Sequence, residues 1–254
     1  TRFLTGIEES IVSGLRLLSV QAQAEVAATL LGSRLLTDAT RDTISADMVA
    51  LLQGNRLGNL EKLSAALTLL PALLGDSRQK VEQLAVSLFN RNDILTERQA
   101  KIDVGIDLLR VIQNADLRKA ILGDAVTGTG ILGALAFLAG AGLAEFRDAL
   151  GSASGLLEVL RGNAGAQRAV RELLATGLSK IAANPLLAAG DIQGLSQIIA
   201  AAPDLIRGFS GTLRTNAIGD IAKLLGLLVQ RGTLEDAGVV VQTATSLLRT
   251  IGTA

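Results

Sequence analysis

Apolar residues recur at three- and four-residue spacing along almost the whole of this 254-residue chain, interrupted by Gly, Asn and Asp. That spacing is the mark of amphipathic helices, and the interruptions mark their ends. It predicts about ten helices. The first runs from about residue 6 into the thirties, with a break near Ser19. Others follow at about 43–53, 57–74, 77–90, 94–113, 115–123, 131–143, 144–160, 164–182, 190–208, 212–230 and 234–251, some of which can merge.

Helix ends carry their own signals. Thr5 and Glu8 have the spacing of a capping box, in which two side chains satisfy free amides of the first turn. Thr96 and Gln99 form a second candidate and set a start nearer Thr96 than Asp93. Pro71 and Pro203 sit inside apolar runs, where a missing amide should kink or end the helix. A Gly-Asp pair occurs at Gly75-Asp76, Gly123-Asp124, Gly190-Asp191 and Gly219-Asp220, and reads as a helix stop followed by an Asp-capped start. The glycines lie 48, 67 and 29 positions apart. That is no fixed period, so irregular stacked helical hairpins are expected rather than a regular solenoid. No linker rich in Pro, Ser or like charge divides the chain, and a single all-α domain over 1–254 is expected.

Composition supports the helical reading and removes several chemistries. The chain holds 48 Leu and 38 Ala, both strong helix formers, with 3 Pro and 5 Phe. Its 24 basic residues balance its 24 acidic ones, so no net charge draws it to nucleic acid or an anionic membrane. Stacking platforms for single strands need aromatic residues beside a basic groove, and there is no Tyr or Trp. Without Cys there is no disulfide and no thiolate-held metal; without His there is no imidazole base and no Ser-His-Asp triad. An enzyme would have to work with Asp, Glu, Lys, Ser, Thr or Arg alone. The lack of Cys, Trp, Tyr and His is similar to that of secreted bacterial structural proteins such as the flagellins, a likeness of composition that no motif extends. It leans the expected address toward the exterior or cell surface of a bacterium. The chain begins Thr1-Arg2-Phe3, as if a leader were removed or the sequence started inside a longer protein, and no signal-peptide pattern is present in this form.

One stretch, DAVTGTGILGALAFLAGAGLAE, carries no charge between Asp124 and Glu145. A helix that crosses the hydrocarbon needs about 20 apolar residues. Here Thr127-Gly128-Thr129-Gly130 interrupts one end, and Gly140 and Gly142 loosen the other. The remaining helix, 131–143, is only ~20 Å long and lacks interfacial anchors. A buried central helix is expected, its small residues Gly133, Ala134, Ala136, Ala139 and Gly140 letting neighbours approach closely. Three further uncharged runs lie at 63–75, 192–203 and 237–248, and the mean hydropathy is +0.43. Four such runs exceed what one globule readily wraps, so either the domain is multilayered or copies of the molecule cover some of them, and self-association is the favoured expectation. The 18 Arg against 6 Lys lean the same way, since interfaces enrich Arg.

Candidate chemistry is sparse. Ser77 and Lys80 have the S-x-x-K spacing of serine β-lactamases, but the partner motifs are missing and an N-cap with a solvated Lys is expected. Asp103 and Asp107 are four apart on one helix face and could hold a divalent cation or act as acid and base. With Lys101 and Arg110 nearby, a salt-bridged surface is the stronger reading. Gly128-Thr129-Gly130 resembles the start of a phosphate loop without its completion and reads as a turn. Arg168, Arg171 and Glu172 form a polar face open to a partner or phosphate, with solvation as the default. No catalytic, cofactor or metal residue is assigned. The expectation is a non-enzymatic structural protein that self-associates into a filament, layer or oligomer. The alternative is a helical adaptor whose apolar groove takes a partner helix or hydrophobic ligand; a membrane-active switch releasing 131–143 ranks third.

Overall fold

The computed structural model describes residues 2–33, 36–184, 191–231 and 234–252. The chain is all-α, and among the described residues there are thirteen helices rather than about ten. They are α1 (Arg2–Leu15), α2 (Val20–Gly32), α3 (Asp38–Gln53), α4 (Asn59–Leu69), α5 (Gly75–Phe89), α6 (Arg98–Val111), α7 (Ala115–Leu122), α8 (Gly130–Ala141), α9 (Leu143–Val159), α10 (Ala164–Ala183), α11 (Ile192–Arg207), α12 (Gly211–Arg231) and α13 (Leu234–Gly252). No strand occurs among these residues, only an isolated bridge between Asp124 and Thr129.

Contacts gather in two compact units, Thr1–Thr96 with Val104–Ile121, and Glu97–Asp103 with Leu122–Ala254. In the first, α1 packs on α2 and α3, α2 on α3 and α4, α3 on α4 and α5, and α4 on α5. In the second, α8 packs on α9 and α10, α9 on α10 and α11, α10 on α12, α11 on α12 and α13, and α12 on α13. The helices of these pairs are therefore near neighbours in sequence, as in stacked hairpins.

Several helix ends differ from the sequence reading, for local reasons. The break at Ser19 is present, but α1 begins at Arg2, so Thr5 lies inside it and cannot cap it. Glu8 instead reaches α3, where its carboxylate accepts from the Thr37 amide (2.9 Å) and from the hydroxyls of Thr37 and Thr40 (2.9 and 2.8 Å). Those donors, the Thr37 amide foremost, hold the Glu8 carboxyl below its usual value. The second candidate fails similarly. α6 starts past Thr96 as expected, but Gln99 turns its amide forward to Asp103 and Ser152. A true return bond of this kind forms at α4, where Glu61 Oε2 accepts from the Gly58 amide at 2.8 Å.

The Gly-Asp pairs have no common role. Asp191 does cap α11, accepting from the Gly194 amide at 2.8 Å; its neighbour Gly190 lies outside the described residues. Gly75 has φ +52° and opens α5, with Asp76 in its first turn. Asp124 makes a turn before α8, and Gly219-Asp220 lies within α12, where Asp220 is buried and bonded to Ser179 and Lys223.

The prolines behave differently from one another. α4 stops at Leu69 with Pro71 in the following turn, as a missing amide requires. Pro203 does not break α11, which runs through it to Arg207. The proline leaves the Ile199 carbonyl without its helical donor. Buried Thr243 of α13 supplies one, its hydroxyl 3.4 Å from that oxygen.

The helix α8 is enclosed as expected, with Ile131, Leu132, Ala134, Leu135, Leu138 and Ala139 all buried. Small residues set the contact with α10. A Cβ on Gly177 would lie 2.5 Å from the Ala139 carbonyl oxygen and 2.8 Å from the Phe146 ring. Phe137 is the large side chain of α8 left outside, exposed beneath the Arg98 guanidinium at 5.1 Å. Among the described residues, no helix is long and apolar enough to cross a membrane.

Candidate functional site

The residues that carried candidate chemistry are not assembled into one site. Lys80 is exposed at the surface of α5. The neighbour with a structural task is Arg78. Its guanidinium pairs with Glu82 at 3.1 Å and donates to the Val111 carbonyl at 2.6 Å, while Glu82 accepts from the Gln113 amide at 3.2 Å. This buried pair ties the start of α5 to the end of α6. Arg118 adds a second donor there, bonding the carbonyls of Leu109 and Ile112. Arg78 and Arg118 thus close helix ends inside the chain, a use the composition does not distinguish from interface formation.

Asp103 and Asp107 have separate partners. Asp107 pairs with Arg110 at 2.8 Å, as the salt-bridge reading expects. Asp103 accepts from Gln99 (3.0 Å) and from Ser152 (3.1 Å). Lys101 departs from the expectation of a surface partner: it is 3% exposed, and burial, then the nearby Arg98, pushes its ammonium below the usual lysine value. No group of three or more acidic, His or Cys side chains that could hold a metal ion exists among the described residues.

Gly128-Thr129-Gly130 is a turn. The Asp124 carboxylate accepts from the amides of Val126 (2.9 Å) and Thr127 (2.8 Å), which with Thr127 foremost lower its pKa. Gly128 and Gly130 have φ of +71° and +61°, and a Cβ on Gly133 would overlap the Gly128 backbone. The loop is folded onto its own carboxylate.

The polar face of α10 divides in two. Arg168 and Glu172 pair in solvent at 2.7 Å, and Glu172 raises the Arg168 pKa. Arg171 lies a turn away in a groove between α9, α10 and α11, with a volume of about 220 Å³. Leu150, Leu157, Leu174, Leu205 and Phe209 line it. Spacing alone does not separate these arginines; only the packing of α11 does.

A second groove lies in the first unit, along α2 and α4, with a volume of about 600 Å³. Val20, Ala24, Leu57, Leu60 and Ala65 give it an apolar floor, and Arg56 and Glu61 flank it. No protein-family model matches the chain, and neither a curated protein nor a solved structure does.

The remaining surface is apolar in places. Of the four uncharged runs, 63–75, 131–143 and 192–203 are largely covered by the chain's own helices, with Leu74 and Phe137 left outside. The expectation that copies must cover several of these runs therefore narrows to 237–248; Leu247 within it lies outside the described side chains. On α13 Thr243 faces inward, while Val241 (66% exposed) and Leu248 (70%) face out, seven residues apart on one side of the helix. Val229 of the adjoining α12 is 66% exposed. In the first unit Ile7, Leu17, Leu18 and Val26 are also exposed, Leu17 at 87%.

Proposed function

We propose that the protein is a non-enzymatic structural subunit that associates with copies of itself, as an oligomer, layer or filament. The observation that carries this reading is the outward apolar side of α12 and α13, formed by Val229, Val241 and Leu248. Apolar side chains exposed to water are stabilised by a partner that covers them, and removing them from water contributes about 25 cal/mol per Å². The exposed residues of α1, α2 and the turn between them offer a second set. Two different patches on one chain suit head-to-tail contact, which closes into a ring or extends as a filament. Size-exclusion chromatography with light scattering tests this, with negative-stain images to separate rings from filaments. The reading requires a mass that rises above 26.2 kDa with concentration.

The groove along α2 and α4 supports a second reading, an adaptor that seats a partner's amphipathic helix. That reading requires a stable monomer whose helix binding is lost on Leu60→Glu. The concentration series distinguishes the two.

A further inference from the structure

The groove between α9, α10 and α11 holds Arg171, which forms no ion pair among the described residues. Arg171 Nε has neither accessible surface nor a hydrogen-bond partner. The charged groups around it are already matched, Arg168 with Glu172 and, at the rim, Asp204 with Arg207 at 3.0 Å. Arg171 is part-buried, its Nε closed off against the groove wall and no counter-charge paired with it among the described residues, so an anion that enters the groove and meets the guanidinium is favoured. The walls select what the anion is attached to. Leu150, Leu157, Leu205 and Phe209 offer only apolar contact. Arg171 is the one cation among the lining residues, which suits a single negative charge; a dianion would need a second cation and would meet Asp204 at the rim.

We propose that this groove binds a short aliphatic carboxylate, its carboxylate on the Arg171 guanidinium and its chain on the leucines and Phe209. The volume of about 220 Å³ falls below the range of drug-sized pockets and suits a chain of roughly six to eight carbons. Gly208 keeps the site open. Its backbone is in the ordinary helical region, which any residue can adopt, yet a Cβ there would lie 3.1 Å from Arg171 Nε and crowd it. This binding is independent of self-association and does not require it.

The test is isothermal titration of the full chain with octanoate, acetate, octanol and inorganic phosphate. Octanoate is expected to bind about tenfold or more tightly than any of the other three, because only it supplies both the charge and the chain. Arg171→Gln should weaken octanoate by about tenfold or more and leave octanol unchanged. Gly208→Val, which keeps the arginine but crowds it, should weaken octanoate as well, and keeps the test decisive if Arg171→Gln does not fold. Octanol or phosphate binding as tightly as octanoate would overturn the proposal. So would octanoate binding unchanged in the folded variants, which would place the ligand elsewhere, or no octanoate binding at millimolar concentration.

Discussion

Gly177 shows how a single missing methyl group governs helix packing. Its hypothetical Cβ meets the Ala139 carbonyl oxygen and the Phe146 ring, both in well-packed surroundings. Gly177→Ala is expected to destabilise the protein by about 1–3 kcal/mol in urea unfolding. Gly226 of α12 has open space around its Cβ position, so Gly226→Ala should instead stabilise by about 0.4–1 kcal/mol. Equal effects at the two sites would contradict the close approach of α8 and α10. Glu8 makes a pH-dependent contribution. Its carboxyl is lowered from 4.5 in the fold, so its stabilisation is complete above the unfolded value and is lost as pH falls through the lower folded value. The difference in melting temperature between the protein and its Glu8→Gln variant should close as the pH drops below 4.5. A difference that holds constant into strong acid would refute the contact with Thr37 and Thr40. Neither residue's role was readable in the sequence. Thr5 and Glu8 match a capping box locally, but Glu8's partners are some thirty positions on, and Gly177 sits in an unremarkable helical run.

At the scale of elements, period and punctuation located nearly every helix, because most are amphipathic and many end near a Gly, Asn or Asp. What escaped was long-range compensation. Pro203 should break α11 when judged by its own helix, and the hydroxyl that makes the continuous helix tolerable lies on α13. Thr243→Val should therefore cost about 1–3 kcal/mol by leaving the Ile199 carbonyl buried and unpaired. In a Pro203→Ala background the restored amide can serve that carbonyl, and the same substitution should cost clearly less. A double-mutant cycle by urea unfolding reads the difference; additive costs would mean that the hydroxyl has no such role. Arg78 and Glu82 form a comparable hidden brace between α5 and α6. Arg78→Leu leaves Glu82 buried without its counter-charge and should cost about 3–5 kcal/mol.

For the molecule as a whole, the all-α class was legible because leucine, alanine and helical spacing agree across the chain. The surplus of apolar surface was only partly legible. Three of the four uncharged runs are largely covered by neighbouring helices of the same chain, and sequence cannot count those neighbours. The fourth, on α13, is covered on the Thr243 side and open on the Val241 and Leu248 side. The Arg171 groove was foreshadowed by a polar face at 168–172, yet which arginine faces a groove is decided by α11 alone. The proposed assembly rests on copies of the chain covering the outward side of α12 and α13. Sedimentation velocity over a wide concentration range, on the protein and on Val241→Glu/Leu248→Glu, tests it most directly. The protein is expected to sediment as a larger, concentration-dependent species and the double variant as a folded monomer. A protein that remains monomeric at the highest concentration, or a variant that assembles as well as its parent, would contradict it.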